Sequence, residues 1–144
     1  MSDEIRRIAI NTGGGDAPGL NAVIRAATLA ARRRGWDVLG IRTGYAGLLD
    51  PSKIMQLDAG EVRGIAHRGG TILGTSNTGN PFGLPMKLPS GETVEVDRSD
   101  EVVKNFHRLG LDALIAIGGD GSMSIAHQLA GKGIPVVGVP KTID

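Results

Sequence analysis

The 144-residue sequence contains no cysteine, which excludes disulfide bonds, thiol chemistry and cysteine-based zinc sites. Aromatic residues make up only 3% of the chain, so there is no stacking platform for single-stranded nucleic acid. No stretch of about 18 apolar residues is present, and we expect no membrane span. The acidic start, Met1 to Glu4, has no apolar core of the kind found in signal peptides. These absences, with a net charge of only +1, predict a cytoplasmic protein that binds neither nucleic acid nor membranes.

Glycine, in contrast, is abundant. The chain has 23 glycines, roughly twice the usual share of about 7%. They follow no collagen-like period and stand mostly at the ends of apolar runs. A length of 144 residues and a hydrophobic content of 40% fit one globular domain. We therefore expect a single domain over residues 1–144 with many turns between strands and helices.

Apolar runs alternate with segments of helical periodicity along most of the chain. The runs predict strands at 7–11, 38–41, 114–117 and 134–139, and the periodic segments predict helices at 20–34, 59–67, 99–109 and 123–130. Asp58 and Ser99 are the expected caps of two of these helices, and Asn21 and Thr28 fall on the polar face of the first. Residues 80–91 contain three prolines and are predicted to form a peripheral loop. This alternation predicts an α/β fold of three αβα layers, with a mostly parallel, Rossmann-like sheet.

The turn at residues 117–122, with the sequence IGGDGS, follows a buried strand and precedes a helix. Glycines let a ligand approach the backbone closely, and the helix N-terminus offers amide donors to an anion. Asp120 would repel a phosphate unless a cation lay between them, and Mg²⁺ is the ion that suits carboxylate and phosphate oxygens. The turn therefore predicts a magnesium-phosphate site. The alternative is a plain glycine turn in which Asp120 caps the helix.

Two further turns of unusual chemistry follow strands. Residues 12–19 match neither the dinucleotide fingerprint, which needs glycine where Pro18 stands, nor the Walker A loop, which needs lysine where Leu20 stands. Three consecutive glycines still form a nest of amide donors for phosphate, although a simple tight turn is the alternative. Residues 140–144 place Lys141, Thr142 and Asp144 together. A carboxylate there can take a proton from a hydroxyl and a lysine can neutralise a phosphoryl group, unless the segment is merely a charged terminus.

Because the carboxyl ends of parallel strands share one edge of a sheet, we expect these three turns to converge. The three turns lie in the segments TGGGDAPGLN at 12–21, GGDGS at 118–122 and PKTID at 140–144, and a fourth segment, RGGTILGT at 68–75, lies between the first two. In their order along the chain, the four segments resemble the 6-phosphofructokinase family, in its A-type branch. The resemblance spans the whole chain. It implies transfer of a phosphoryl group from a donor to the 1-hydroxyl of fructose 6-phosphate, a step of glycolysis, assisted by Mg²⁺.

The resemblance also implies roles for individual residues. Asp120 matches the magnesium ligand, Asp144 the catalytic base, Thr142 a substrate contact, and Lys141 a residue at the transferred phosphoryl group. The remaining matches belong to the donor site, where Tyr45 lies near the nucleotide base; they are Gly14, Gly15, Tyr45, Asn77, Gly121 and Ser122.

The resemblance leaves the donor open between ATP and pyrophosphate. Asn77 stands where ATP-using members commonly have arginine, and Lys141 is usual in the pyrophosphate-using branch. That branch usually has aspartate where this chain has Gly121, and the combination of Gly121 with Lys141 is typical of a third group that includes ATP users. We therefore expect ATP, with pyrophosphate as the alternative.

Family members are more than twice as long and are usually homotetramers or homodimers. We accordingly expect this chain to be the N-terminal, donor-binding portion, to lack the substrate domain, and to be inactive alone. Two other functions stay open. One is a kinase of the NAD kinase or diacylglycerol kinase type, which shares only the GGDGS turn, and the other is a non-catalytic nucleotide- or phosphate-binding module.

Overall fold

A computed structural model of the protein describes residues 4–14, 18–75 and 79–141. The strands and helices are β1 Arg7–Thr12, α1 Leu20–Arg33, β2 Asp37–Ile41, β3 Ile54–Leu57, β4 Leu84–Lys87, β5 Thr93–Val96, α2 Ser99–Arg108, β6 Ala113–Gly118, α3 Asp120–Gly131 and β7 Val136–Pro140. Short 3-10 turns occupy 46–48, 51–53 and 65–67. Within the described residues no helix is long and apolar enough to cross a membrane.

Five strands form one sheet in the order β3-β2-β1-β6-β7. The pairs β2-β1, β1-β6 and β6-β7 are parallel, and only the edge strand β3 runs antiparallel to its neighbour. From β1 the chain crosses to β2 on one side, whereas β6 pairs with β1 on the other side. The strand order thus reverses between β1 and β6, which is the position where α/β sheets bind ligands.

Each face of the sheet is covered by its own apolar cluster. On one face, side chains from α1 and the 62–73 segment pack against Ile8, Ile10 and Ile117. On the other face, α2 and α3 contribute Phe106 and Leu129 to a cluster around Ala9 and Leu114. Because alternate residues of β1 and β6 face opposite helices, residues 8–10 of β1 and 113–117 of β6 are continuously apolar, as expected for buried parallel strands, whereas β1 ends in the buried polar residues Asn11 and Thr12. The αβα architecture expected from the sequence is confirmed.

The structure corrects several local predictions. Residues 59–67 form turns that end in a 3-10 turn at 65–67 instead of a helix. Ser99 is the first residue of α2 and not its cap: the N-cap is Arg98, which makes no side-chain capping bond, and the Asp97 carboxylate accepts hydrogen bonds from the amide and the hydroxyl of Ser99, at 2.9 and 2.6 Å. Asn21 and Thr28, expected on the polar face of α1, are buried. Within residues 80–91, where a loop was expected, Leu84–Lys87 forms β4, which pairs with β5 as a two-stranded hairpin.

Candidate functional site

The carboxyl ends of β1, β6 and β7 meet at one edge of the sheet. Beyond the last residue of β1, the amide of Gly13 donates to the carbonyl of Ile117 at 2.9 Å. Beyond β7, the amide of Lys141 donates to the carbonyl of Gly118 at the same distance. The described parts of the three turns are therefore adjacent, as the sequence predicted. Of the predicted site residues, Gly15, Asn77, Thr142 and Asp144 lie outside the described residues.

Ser122 holds two of these turns together. Its side chain is buried between Gly13 and Gly118. A Cβ atom added at Gly13 would lie 2.7 Å from the Ser122 Oγ, and one added at Gly118 would lie 2.6 Å from the Ser122 Cβ. Side chains at these two positions would thus collide with the first turn of α3. Both glycines let the ends of β1 and β6 pack directly against that helix.

Gly14 and Gly121 instead face a cavity. Gly14 adopts a left-handed conformation, with φ of 78°, and is exposed. A Cβ added at Gly121 would meet no atom within 4 Å, so this position is open to a ligand. The cavity has a volume of about 360 Å³, and its lining includes Gly13, Gly14, Tyr45, Gly121, Ser122 and Gln128.

The N-terminus of α3 borders this cavity with amide donors. The helix begins at Asp120. Its first backbone hydrogen bond of the helical i→i−4 type runs from the amide of Met123 to the carbonyl of Gly119, at 2.9 Å. The amides of Asp120, Gly121 and Ser122 precede this bond and have no intrahelical acceptor. Together with the helix dipole they favour an anion at this end of the helix.

Asp120 does not cap the helix. The N-cap residue is Gly119, and no side chain makes a capping hydrogen bond. The carboxylate is exposed, which leaves it accessible to a cation. One carboxylate beside a phosphate-binding turn suits Mg²⁺, which commonly takes one or two protein carboxylates and completes its octahedron with phosphate oxygens and water. Among the described residues no three acidic or histidine side chains cluster, so an all-protein metal cage is not formed there.

Lys141 extends its side chain across the two glycine turns. Its ammonium donates a hydrogen bond to the carbonyl of Gly14. Its Cε lies 3.4 Å from the position that a Cβ would take at Gly119. The charge is therefore close to both turns that border the cavity, where it favours bound phosphate.

Tyr45 lines the same cavity but is only 4% exposed. Its hydroxyl donates to the carbonyl of Ser122 at 2.8 Å. Burial raises the pKa of this phenol, and the hydrogen bond with the Ser122 side chain opposes part of the rise. Tyr45 is thus a neutral, buried hydrogen-bond donor to the first turn of α3.

Four polar residues for which the sequence predicted no role at the site support it: Asn11, Thr12, Asn21 and Thr71. The hydroxyl of Thr12 is bonded to the Thr71 hydroxyl and to the carbonyl of Gly74, both at 2.9 Å. The Asn21 side chain accepts from the amide of Ile72 at 2.8 Å and donates to the carbonyl of Arg68 at 3.1 Å. Asn11 donates to the carbonyl of Gly44 at 3.3 Å. The available signal was a polar residue at a strand end or early in a helix, which is too common to indicate a role by itself.

Comparison with known proteins identifies relatives of this chain. The family described as Phosphofructokinase matches residues 7–144. An ATP-dependent 6-phosphofructokinase 2 from Clostridium perfringens is 49% identical over all of this chain, which corresponds to 39% of the relative. A pyrophosphate–fructose 6-phosphate 1-phosphotransferase from Dictyoglomus thermophilum is 45% identical over 96% of this chain and 36% of the relative.

Structural comparison agrees. The crystal structure of phosphofructokinase from Pichia pastoris in its T-state superposes with a TM-score of 0.80 and 30% identity, over 98% of this chain and 16% of that one. The present chain thus spans well under half the length of the relatives that it matches. Since the family match nevertheless covers nearly all of its residues, including every turn at the sheet edge, the chain belongs to the phosphofructokinase family.

Proposed function

We propose that the chain forms the phosphoryl-donor side of an ATP-dependent 6-phosphofructokinase, which transfers a phosphoryl group from ATP to fructose 6-phosphate and forms fructose 1,6-bisphosphate. One observation carries this proposal. Gly14 and Gly121 open into one cavity, at the point where the strand order reverses and a helix N-terminus presents its amides.

The donor phosphates bind in this cavity against the backbone of Gly14, Gly15, Gly121 and Ser122. The amide donors and the dipole of α3 stabilise the negative charge of these phosphates. Because both belong to the fixed backbone, no side chain has to change its conformation when the phosphates bind. Asn77 and Tyr45 complete the donor site. The roles of Gly15 and Asn77 stay predictions, because both lie outside the described residues.

Asp120 is the residue that would hold Mg²⁺. Its carboxylate is exposed at the first position of α3, next to the amides that receive the phosphates. When bound, Mg²⁺ neutralises charge on the donor phosphates.

On the acceptor side, Thr142 orients the sugar and Asp144 takes the proton of its 1-hydroxyl. Lys141, which already lies against Gly14, neutralises charge on the transferred group. Of the three, Lys141 is described: it follows β7 and lies at the same sheet edge as the glycine turns. The roles of Thr142 and Asp144 stay predictions, because both lie outside the described residues.

Pyrophosphate is the second candidate donor. Lys141 favours it, because a lysine at the phosphate turns can neutralise a small inorganic donor. Gly121 favours ATP, because open space at this position leaves room for the inner phosphate of a nucleotide. ATP is the donor named for the relative from Clostridium perfringens and pyrophosphate is named for that from Dictyoglomus thermophilum.

Calorimetric titration with MgATP and with magnesium pyrophosphate tests the proposal. We expect the chain to bind MgATP, and Gly121→Asp to abolish that binding because its side chain fills the donor cavity. Gly60→Asp is the charge-matched control, since a Cβ at Gly60 also meets no atom within 4 Å, and this glycine follows the antiparallel strand β3 away from the site. Pyrophosphate binding without ATP binding, lost in Lys141→Ala, would establish the other donor. Binding of neither ligand would contradict the donor site.

Turnover is a separate question from binding. The chain covers 39% of the relative from Clostridium perfringens, and we expect no phosphoryl transfer by these 144 residues alone. Formation of fructose 1,6-bisphosphate by the purified chain would contradict this expectation. Homo-oligomerisation and a cytoplasmic location stay predictions for the protein.

A further inference from the structure

The turn that follows β2 has a strained backbone. Thr43 has φ of 61° and is the non-glycine residue with positive φ in the described part of the chain. A β-branched side chain disfavours this conformation, which persists only where surrounding contacts impose it. One such contact is the hydrogen bond from the Thr43 amide to the carbonyl of Leu73, at 2.8 Å. The turn is therefore fixed by its neighbours and not by its own preference.

A second contact comes from the centre of the sheet. Asn11, in β1, is fully buried and its side-chain amide donates to the carbonyl of Gly44 at 3.3 Å. Its Oδ1 is buried without a hydrogen-bond partner among the described residues. A buried polar group without its full set of hydrogen-bond partners lowers the stability of the folded state. Asn11 therefore destabilises the fold at a position where an apolar side chain would pack. This side chain supplies the bond to Gly44 and also interacts with the neighbouring Tyr45 phenol, where it opposes part of the rise in pKa that burial causes.

The third contact leads to the donor site. Tyr45, the next residue, directs its hydroxyl to the carbonyl of Ser122 at 2.8 Å, and the Ser122 Oγ lies 3.5 Å away. Ser122 is the third residue of α3, within the turn whose amides face the cavity. The contacts therefore run without a break from β1, through the strained turn, to the backbone that borders the cavity.

We propose that Asn11 and Tyr45 are positioning residues for the donor turn: they hold the first turn of α3 in the orientation that receives phosphate. This inference rests on the proposed function and deepens it, because it assigns Tyr45 a role through its hydroxyl and not as a surface for the nucleotide base. A side chain that is 4% exposed presents little of its ring to a base, whereas its hydroxyl contacts the helix backbone directly.

The test compares MgATP with magnesium tripolyphosphate, which has the phosphates but no base. In Tyr45→Phe the ring is kept and the hydroxyl is lost. We expect both ligands to bind about fivefold to tenfold more weakly, by the same factor, as the loss of one buried hydrogen bond implies. Trp36→Phe is the control and should change neither affinity, because Trp36 lies just before β2, where its ring contacts the Arg34 guanidinium.

A second measurement, hydrogen exchange in the absence of ligand, reports on the local stability of the first turn of α3. By hydrogen exchange, the amides of residues 120–123 should exchange faster in Tyr45→Phe than in the unchanged protein, while the amides of β1 keep their protection. A purely global destabilisation would instead accelerate exchange in both places.

Each outcome separates the two proposals. Weaker MgATP binding with unchanged tripolyphosphate binding would overturn the inference and make Tyr45 a base contact, and unchanged affinity for both ligands would also overturn it. If the unchanged protein binds neither ligand, the proposed function fails and the exchange experiment alone decides. In that case local acceleration at 120–123 supports the positioning role, and unchanged exchange overturns it.

Discussion

At the scale of single residues, the glycines of the site divide into two kinds. Gly13 and Gly118 are required by packing, because a Cβ at either position would collide with Ser122. Gly121 is unconstrained by the protein, because a Cβ there would meet nothing within 4 Å. The first kind supports the fold and the second leaves room for a ligand. The two kinds are indistinguishable in the sequence, where both belong to the same short turn.

Alanine substitutions should separate these two kinds. Gly118→Ala forces Ser122 to move and should lower the free energy of unfolding by about 1–3 kcal/mol, the usual cost of overpacking. Gly121→Ala, within the first turn of α3, should leave stability unchanged or raise it by up to about 1 kcal/mol. Urea denaturation monitored by circular dichroism measures both values. Equal destabilisation by the two substitutions would show that Gly121 is also held by packing.

Residue chemistry is most sharply predicted where a rare residue type stands in a restricted context. Asp120 after two glycines predicts a site for a cation and phosphate, and this role stays a prediction; the structure shows that the residue is exposed and does not cap the helix. Asn21 and Thr28 were misjudged, because a polar residue on a helix is usually solvated. The burial of Asn21 depends on the segment that packs over α1, where its side chain is bonded to Arg68 and Ile72. Those partners lie far away in sequence.

At the scale of elements, carboxylates fix where strands and helices begin. The Asp112 carboxylate accepts hydrogen bonds from the amides of Arg6 and Arg7, at 2.8 and 3.0 Å, and so joins the start of β1 to the segment before β6. These bonds hold the pKa of Asp112 below its usual value of 3.8. A lowered pKa means that the charged carboxylate stabilises the folded state.

This linkage predicts a defined pH dependence for Asp112→Ala. The stability that Asp112 supplies is fully present above pH 3.8 and is lost as the pH falls below that value through the lowered pKa. The variant should therefore be less stable than the unchanged protein at pH 6, and the difference should shrink below pH 3.8. Urea unfolding at a series of pH values measures this difference. Glu92→Ala, on the hairpin, is the control. A difference in the free energy of unfolding that stays constant down to pH 2, or that equals the difference caused by Glu92→Ala, would contradict the stabilising role of the Asp112 carboxylate.

The β4-β5 hairpin is peripheral to the core. Met86 and Val94 stand opposite each other on its two strands and are 49% and 36% exposed. We expect trypsin to cut first after Lys87, at the exposed end of β4, before it cuts in α1 or α2. The nicked protein should keep its circular dichroism spectrum, because the core does not depend on the hairpin. Mass spectrometry identifies the site, and Lys87→Gln should delay the first cut. Early cleavage within α1 would show that the core opens as easily as the hairpin.

Elements with strong periodicity were predicted within a residue or two, as the bounds of β1, α1 and α2 show. The hairpin was missed because three prolines suggested a loop, yet Pro85 is accommodated in a two-stranded ribbon, where a strand has one unpaired side. The helix expected after Asp58 is replaced by turns. The Asp58 amide does bond to the Glu61 carboxylate at 2.8 Å, so a local start signal exists without the helix that usually follows.

At the scale of the whole molecule, the order of strands creates the site. The chain turns in opposite directions from β1 and β6, which separates the helices that follow them, and the cavity opens between the Gly13–Gly14 turn and the first turn of α3. Convergence of the three turns was predictable, because parallel strands end at the same sheet edge. The hydrogen bonds that Asn11, Thr12 and Tyr45 make at the site could not be predicted from the sequence. They depend on side-chain packing between segments that are 33 to 77 residues apart.

The central claim is that donor phosphates bind between the ends of β1 and β6. Hydrogen exchange with and without saturating MgATP tests it most directly, because it locates the ligand on the backbone. The account predicts slower exchange at Gly14 and at residues 119–122, with unchanged exchange in the β4-β5 hairpin. Unchanged exchange at both glycine turns, or protection confined to another part of the protein, would contradict it.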